Sequence, residues 1–171
     1  MLERDYQKAL AQMARLTTQP PDQFRYIPKA QLYADIHGLL GNQELARTYY
    51  DSARTAVEAL IQDEPDDSRY RSALGIAYAG LGRADDAVRE GELAVQILPV
   101  SKEAWRGAVH VEDLARIYTM VGRYDQAIGR LEYLLSIPYN LSPPMLVIDP
   151  TWDSLRDHPR FRRLVEDVDR E

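Results

Sequence analysis

The chain has 171 residues, of which 45% are hydrophobic and 28% are charged, and this composition excludes a fully disordered or fibrous protein. Its 21 Lys plus Arg and 27 Asp plus Glu give a net charge of -6, which argues against a nucleic-acid-binding protein with a basic surface. The absence of cysteine excludes disulfides and thiolate metal sites, and no apolar run approaches the roughly 18 residues that span a membrane.

Apolar residues recur at three- and four-residue steps along the chain, beginning with a stripe in residues 2–16 that includes Tyr6, Ala9 and Leu10. This spacing is typical of amphipathic helices, and no stretch alternates with the period of two that a strand shows. Proline and glycine interrupt the pattern at intervals of about 12 to 20 residues. The pattern predicts an all-α protein with nine or ten short-linked helices.

Three of these breaks share one motif, in which a glycine is followed by an acidic residue at the third position and an alanine at the fifth. The motif occurs as Gly41, Glu44 and Ala46, as Gly82, Asp85 and Ala87, and as Gly122, Asp125 and Ala127. A glycine can end a helix in the left-handed conformation. An acid in the first turn of the next helix lies near the positive end of the helix dipole. The motif therefore predicts a helix–turn–helix unit that occurs three times.

The similarity extends upstream of each glycine. A small residue lies seven positions before it, and an aromatic residue or histidine lies four positions before it. These residues are Ala34 and His37, Gly75 and Tyr78, and Ala115 and Tyr118. Agreement at several fixed offsets indicates an internal repeat.

The repeat resembles the tetratricopeptide repeat, a helix–turn–helix unit of about 34 residues. The resemblance implies a right-handed solenoid of antiparallel helix pairs, with repeats at residues 27–62, 68–101 and 108–139. The motif alanines are 41 and 40 residues apart (87 − 46 and 127 − 87), so these units are longer than the family's. A second helix extended to Gln62 and an insert at residues 101–107, which contains Trp105, are expected to hold the additional residues.

The two ends of the single predicted domain, residues 1–171, differ from these units. Residues 1–20 match only the second helix of a repeat, which predicts either a longer repeat protein or an end that contacts a partner. Residues 141–171 are predicted to form a helical cap, with helix starts at Asp149-Pro150 and His158-Pro159. The last helix is expected to pack through Phe161, Leu164 and Val168.

Residues 68–163, and residues 132–161 in particular, are also similar to the C-terminal repeat region of large bacterial signalling proteins. Those proteins carry a Ser/Thr kinase, a cyclase or a winged-helix DNA-binding domain. The resemblance implies an interaction module within a longer chain, without indicating its ligand. It leaves the compartment open, either cytoplasmic or extracytoplasmic if the parent chain has a transmembrane helix.

No motif predicts a catalytic residue, a cofactor or a metal site. The histidines His37, His110 and His158 lie far apart without metal-ligand spacing, and acidic pairs such as Asp85-Asp86 sit at helix boundaries, where they favour the helix dipole. One basic cluster is interleaved with acids, which favours a solvated amphipathic face over an acidic or phosphate partner. It consists of Arg156, Arg160, Arg162 and Arg163.

The resemblance implies a concave groove lined by the first helix of each unit, through its fifth, ninth and twelfth positions. The candidate groove residues are Gln31, Asp35, Gly38, Ser72, Ile76, Ala79, Glu112, Arg116 and Thr119. These residue types do not match the Lys and Asn clamp with which one subgroup of the family binds chaperone C-termini. Mixed charge around an apolar centre at Ile76 and Ala79 suits an extended peptide or a helix.

The predicted function is therefore non-catalytic protein–protein interaction, with a peptide or helix bound in the groove and no membrane insertion. Self-association through the exposed N-terminal helix, giving a homodimer, is the alternative. A nucleic-acid-binding helical repeat is disfavoured, because Arg116 is the one basic residue among the groove positions.

Overall fold

The computed structural model describes residues 6–15 and 23–166, which form nine α-helices and one 3-10 helix without any strand. The prediction of an all-α protein is confirmed. Leu2, Val168 and most of the residues between α1 and α2 lie outside the described residues. The elements are α1 (Tyr6–Arg15), α2 (Lys29–Leu39), α3 (Gln43–Asp63), α4 (Ser68–Gly80), α5 (Ala84–Ile97), α6 (Ala104–Met120), α7 (Tyr124–Leu135), α8 (Pro143–Ile148), the 3-10 helix (Pro150–Leu155) and α9 (Pro159–Glu166).

Three turns with the same hydrogen bonds join α2 to α3, α4 to α5 and α6 to α7. Their glycines Gly41, Gly82 and Gly122 have φ of +79°, +77° and +77°, and no other described residue has a positive φ. The residue after each glycine donates its backbone N–H to the carbonyl four residues before the glycine. The three distances are Asn42 to His37 2.9 Å, Arg83 to Tyr78 2.9 Å and Arg123 to Tyr118 2.8 Å. The repeated sequence motif thus forms one helix-ending turn three times.

The left-handed turns give a first testable prediction. Replacing Gly82 with alanine places a β-carbon where φ is +77° but where no atom lies within 4 Å, so the effect is conformational. We expect the free energy of unfolding, measured in urea, to fall by about 1 to 2 kcal/mol. The control is Gly129→Ala within α7, which also has open space. That change should raise the free energy of unfolding by up to about 1 kcal/mol. If both changes had the same effect on the free energy of unfolding, the conformational strain predicted for an alanine at position 82 would be contradicted.

Small residues let the two helices of a pair approach closely. Ala34, Ala46, Ala87, Ala115 and Ala127 are at most 3% exposed. The closest approach is at Gly75 in α4, where an added β-carbon would lie 2.9 Å from the carbonyl oxygen of Ala87 in α5. Backbone therefore packs directly on backbone at this crossing.

Each helix from α2 to α6 packs on the next helix in the chain, and α4 also packs on α6. One apolar core runs from Ala34 in α2 to Phe161 in α9. Tyrosine hydroxyls connect successive helices at its edge, since Tyr78 donates to Glu58 at 2.8 Å and Tyr118 donates to Glu92 at 2.8 Å. The hydroxyl groups of these tyrosines thus add hydrogen bonds between helices to the apolar packing.

The boundaries of α3 and α6 account for the long repeat spacing. Helix α3 ends at Asp63, one residue after the predicted end. Helix α6 begins at Ala104, so residues 104–107 of the predicted insert form its first turn. Gly107 permits this, because a β-carbon there would lie 2.6 Å from the backbone nitrogen of Val100.

The C-terminal segment packs on the last helix pair. Asp149 caps the 3-10 helix by accepting a 2.8 Å hydrogen bond from Thr151 N, so the predicted helix start is present, although the helix is 3-10. Trp152 and Phe161 are each 2% exposed. Arg160 in α9 pairs with Asp125 and Glu132, at 3.0 and 2.8 Å. None of the described helices is both long and apolar enough to cross a membrane.

Candidate functional site

A recess of about 140 Å³ lies where the first helices of the three pairs face one another. Two irregular segments border it, residues 23–28 before α2, called the strap here, and residues 149–152 at the start of the 3-10 helix. Its lining combines apolar side chains with both signs of charge. The lining residues are Arg25, Tyr26, Ile27, Gln31, Ala73, Ile76, Glu112, Asp113, Arg116, Asp149, Thr151 and Trp152.

Four of the candidate groove residues, Gln31, Ile76, Glu112 and Arg116, line this recess together. Asp35 lies beside them through its ion pair with Arg116. Gln31 is 1% and Ile76 is 4% exposed, because the strap and the 3-10 helix border the face that the sequence predicts to be an open groove. The accessible part of this face is therefore narrower than expected.

The other candidate groove residues do not line the recess. Ser72, Ala79 and Thr119 are buried, and Gly38 is half-buried in the last turns of α2. Ser72 Oγ lies 3.1 Å from His110 Nδ1, and Thr119 donates to the Ala115 carbonyl within its own helix. These positions serve packing in the described structure.

Asp35 connects three helices at the rim of the recess. Its Oδ1 accepts hydrogen bonds from Arg116 Nη2 in α6 and from Tyr50 Oη in α3, each at 2.6 Å. Burial and the negative charge of Asp35 raise the pKa of Tyr50. Burial lowers the pKa of the Arg116 guanidinium, but the negative charge of Asp35 raises it, and the resulting pKa lies above the ordinary value. The guanidinium of Arg116 is therefore charged, and its hydrogen bond to Asp35 fixes both side chains at the rim.

A second charged group lies where the strap meets α6. Arg25 Nη2 is 2.5 Å from Glu112 Oε2, and Arg25 Nε is 3.0 Å from Asp113 Oδ1. Tyr139 also donates to Glu112 Oε2, at 2.6 Å. Burial and the Glu112 charge raise the pKa of Tyr139. One guanidinium thus pairs with two neighbouring carboxylates.

Aromatic contacts hold the strap on both sides of Arg25. Phe24 meets Trp105 edge to face, with ring centroids 6.4 Å apart, and Tyr26 meets Tyr70 in the same way at 5.1 Å. The sequence analysis did not identify this segment. Its signal is the run Phe24-Arg25-Tyr26 between Pro20-Pro21 and Pro28, where proline favours an extended chain over a helix.

One polar atom at the recess has no partner among residues 6–15 and 23–166. Gln31 Oε1 is buried and makes no hydrogen bond to any of them, although its residue lines the recess. A buried acceptor without a partner is unfavourable by about 1 to 3 kcal/mol. A donor group placed in the recess, from a ligand or from water, would remove that penalty.

His110 lies in the core beside the recess. It is 0% exposed, its Nδ1 contacts Ser72 Oγ, and its Nε2 has no partner. Burial lowers the pKa of His110. The Asp113 charge raises this pKa and the Arg106 charge lowers it, and the net shift is downward. No group of three or more His, Cys, Asp or Glu among the described residues is arranged to hold a metal ion. The position of His110 in the core fits a structural role.

The lowered pKa of His110 gives a pH prediction. The unfolded chain binds the proton more readily than the folded one, so stability is lost as pH falls through the ordinary histidine value of about 6.5. We expect a His110→Gln variant to lose less unfolding free energy than the wild type between pH 7.5 and 5.5. The difference is limited to about 1.4 kcal/mol per pH unit. The same pH dependence in His110→Gln would contradict the prediction.

Three of the four arginines of the basic cluster, all except Arg163, have partners within the C-terminal half of the chain. Arg156 pairs with Asp153, Arg160 pairs with Asp125 and Glu132, and Arg162 donates to the Asp157 carbonyl. His37 stacks on Tyr49 at 5.5 Å, as a packing aromatic would. These groups do not converge on a common site.

Comparison with known protein families, with curated proteins and with solved structures gave no match. The charged groups of the recess are paired with one another, and three helices fix its shape. Such a surface suits recognition of a side chain or a short segment.

Proposed function

We propose that the protein is a non-catalytic protein–protein interaction module that binds a peptide or a helix of a partner at the recess. One observation carries the proposal. Equivalent helices of three repeated pairs bring Gln31, Ile76, Glu112 and Arg116 to one recess of about 140 Å³. A site built from several rigid helices is preformed, so a partner binds with a smaller entropic penalty.

The proposed architecture is a right-handed solenoid of the tetratricopeptide type. Three features support it: the identical turns at Gly41, Gly82 and Gly122, the packing of each helix on the next, and the contact of α4 with α6. In a solenoid each unit contacts mainly its neighbours, and the first helices form the inner face. The residues of α2, α4 and α6 would then share the concave side.

The size of the recess limits what it holds. A cavity of about 150 Å³ accommodates a molecule as large as benzene. The recess therefore suits one anchoring side chain of a partner, while the rest of the segment lies outside. Trp105 is 46% exposed and offers an aromatic surface for it.

The experiment is a selection of binding peptides from a displayed library, followed by calorimetric titration. Thr151→Arg should block the recess, because Thr151 lines it. The matched control is Ser154→Arg, which adds the same charge at an exposed position of the same 3-10 helix. We expect Thr151→Arg to weaken binding at least about tenfold, or about 1.4 kcal/mol, and Ser154→Arg to leave it unchanged. Equal affinities for both variants would refute the proposal, provided that their circular dichroism spectra match.

We also propose a role for this module within a longer signalling protein. Residues 68–163 resemble the repeat region of bacterial signalling proteins, so the module would recruit a partner to the catalytic or DNA-binding domain of a longer chain. The resemblance supports this role through the sequence alone.

Self-association through α1 is a second candidate function. Tyr6, Leu10 and Met13 on this helix remain half-buried although α1 packs on α2. A second copy that covered this face would remove apolar surface from water. Sedimentation equilibrium tests it: a dimer that Leu10→Asp converts to a monomer would support this function, and a wild-type monomer would exclude it.

A further inference from the structure

The strap, residues 23–28, lies across the first helices in the way a bound segment would. Its Phe24 contacts Trp105 at the start of α6, and its Tyr26 contacts Tyr70 in α4. Arg25 lines the recess between these contacts. The strap therefore spans from α4 to α6 with one charged anchor and two aromatic ones.

The strap is irregular, and side chains hold it. None of its residues before Pro28 is helical, Gln23 and Phe24 form a bend, and Pro28 has φ −55° and ψ 138°, close to polyproline II. A non-helical segment held by consecutive side-chain anchors contacts the protein as a bound peptide would.

The charge of the site requires a cation in this position. Asp113 and Glu112 have side chains that are 8% and 21% exposed, and Arg25 is their shared counter-ion. If the strap leaves, two neighbouring carboxylates remain without it, which is unfavourable for poorly solvated charges. A guanidinium reaches both carboxylates through different nitrogens, whereas an ammonium is a single point charge.

The strap leaves one polar atom of the recess without a hydrogen bond. With the strap in place, Gln31 Oε1 has no hydrogen-bond partner in the described part of the chain. A partner segment that carries the same anchors and also donates to Gln31 would gain a contact that the strap lacks. Such a segment displaces the strap when this added contact outweighs the effective concentration of the attached strap.

We propose that the strap is an internal competitor for the binding site, and that the partner segment carries an arginine between aromatic residues. The inference rests on the proposed function and specifies the chemistry of the ligand. In the free protein, Phe24-Arg25-Tyr26 fills the subsites at Trp105, at Glu112 with Asp113, and at Tyr70. Partner binding exchanges one arginine for another, so the two carboxylates are never left unpaired.

The test uses a fluorescent peptide with the strap sequence, Gln-Phe-Arg-Tyr-Ile-Pro, added to the full chain. Phe24→Ala/Arg25→Ala empties two of the strap's three subsites, and Arg25→Gln is a milder second variant. Because an attached segment acts at an effective concentration near millimolar, we expect the emptied variants to bind the peptide about tenfold more tightly than the wild type. Arg54→Gln serves as control, since it removes an arginine paired with Glu58 on α3 and should bind like the wild type.

The peptide itself carries the second comparison. Replacing its arginine with lysine should weaken binding to the emptied variant, and replacement with alanine should abolish it. Adding Glu112→Gln to the emptied variant should also weaken binding. Equal binding by the arginine and alanine peptides would overturn the inference, as would equal binding by wild type and both emptied variants while circular dichroism shows them folded.

The two proposals fail in distinguishable ways. If library selection yields recess-dependent peptides that lack arginine and bind wild type and emptied variants alike, the proposed function stands and the competitor role is refuted. If the strap peptide binds the emptied variant and Thr151→Arg does not affect it, the peptide sits elsewhere and the inference is overturned. Selection without any recess-dependent peptide refutes the proposed function.

Discussion

Replacing Gly75 with valine is expected to lower the free energy of unfolding by about 3 to 4 kcal/mol, which would be a severe destabilisation for a single change. A β-carbon at this position would lie 2.7 Å from Ile117 Cδ1 and 2.9 Å from the Ala87 carbonyl oxygen. The side chain of Ile117 could shift, but the backbone of α5 can move only if the helix pair separates. Overpacking against backbone is therefore expected to exceed the usual effect of an added methyl group.

The matched control is Gly38→Val. Gly38 also lies in the first helix of a pair, and no atom comes within 4 Å of an added β-carbon. Glycine and valine differ little in helix propensity, so this change should stay within about 0.5 kcal/mol of the wild type. Urea unfolding of both variants gives the comparison. A Gly75→Val protein as stable as Gly38→Val would contradict the close packing of α4 on α5.

Replacing Asp35 with alanine is expected to lower the free energy of unfolding by about 3 kcal/mol. The change leaves Arg116 without its counter-ion and Tyr50 Oη without its acceptor. The side chain of Arg116 is 23% exposed, so its charge is only partly solvated. Removal of one member of such a pair leaves a poorly solvated charge, and that penalty exceeds the net value of the pair.

Asp85→Ala is the control for Asp35→Ala. Asp85 also accepts from an arginine of the following repeat, Arg123, at 2.8 Å, but its side chain is 94% exposed. Water solvates both members of this ion pair, so the effect should stay within about 1 kcal/mol. Thermal or urea unfolding of the two variants makes the comparison. If both changes have the same small effect, Asp35 does not hold α2, α3 and α6 together.

The repeated turns could be predicted from the sequence because they depend on local chemistry. A glycine with a positive φ, an acid in the next turn and a small residue at the crossing leave a pattern at fixed offsets, and Gly41, Gly82 and Gly122 all show it. The helix starts at Asp149-Pro150 and Pro159 follow similar local rules. Helical periodicity is likewise a property of neighbouring residues.

The coverage of the inner helix face by the strap and the 3-10 helix could not be predicted from local sequence patterns. Arg25 and Glu112 are 87 residues apart, and the strap and the 3-10 helix lack a helical apolar pattern. Gln31 was expected on a groove surface, yet it is 1% exposed because these irregular segments border it. Helix register thus predicts which residues face inward, while the segments that cover them depend on the tertiary fold.

Covalent capture tests directly whether a partner segment binds in the recess. The chain contains no cysteine, so Thr151→Cys and Ser154→Cys each provide one reactive thiol on the same 3-10 helix. A library-selected peptide that carries a chloroacetyl group is added to each variant, and the adduct is measured by mass spectrometry. We expect rapid capture by Thr151→Cys, which lines the recess, and slow capture by Ser154→Cys. Equal capture rates, or faster capture by Ser154→Cys, would contradict binding in the recess.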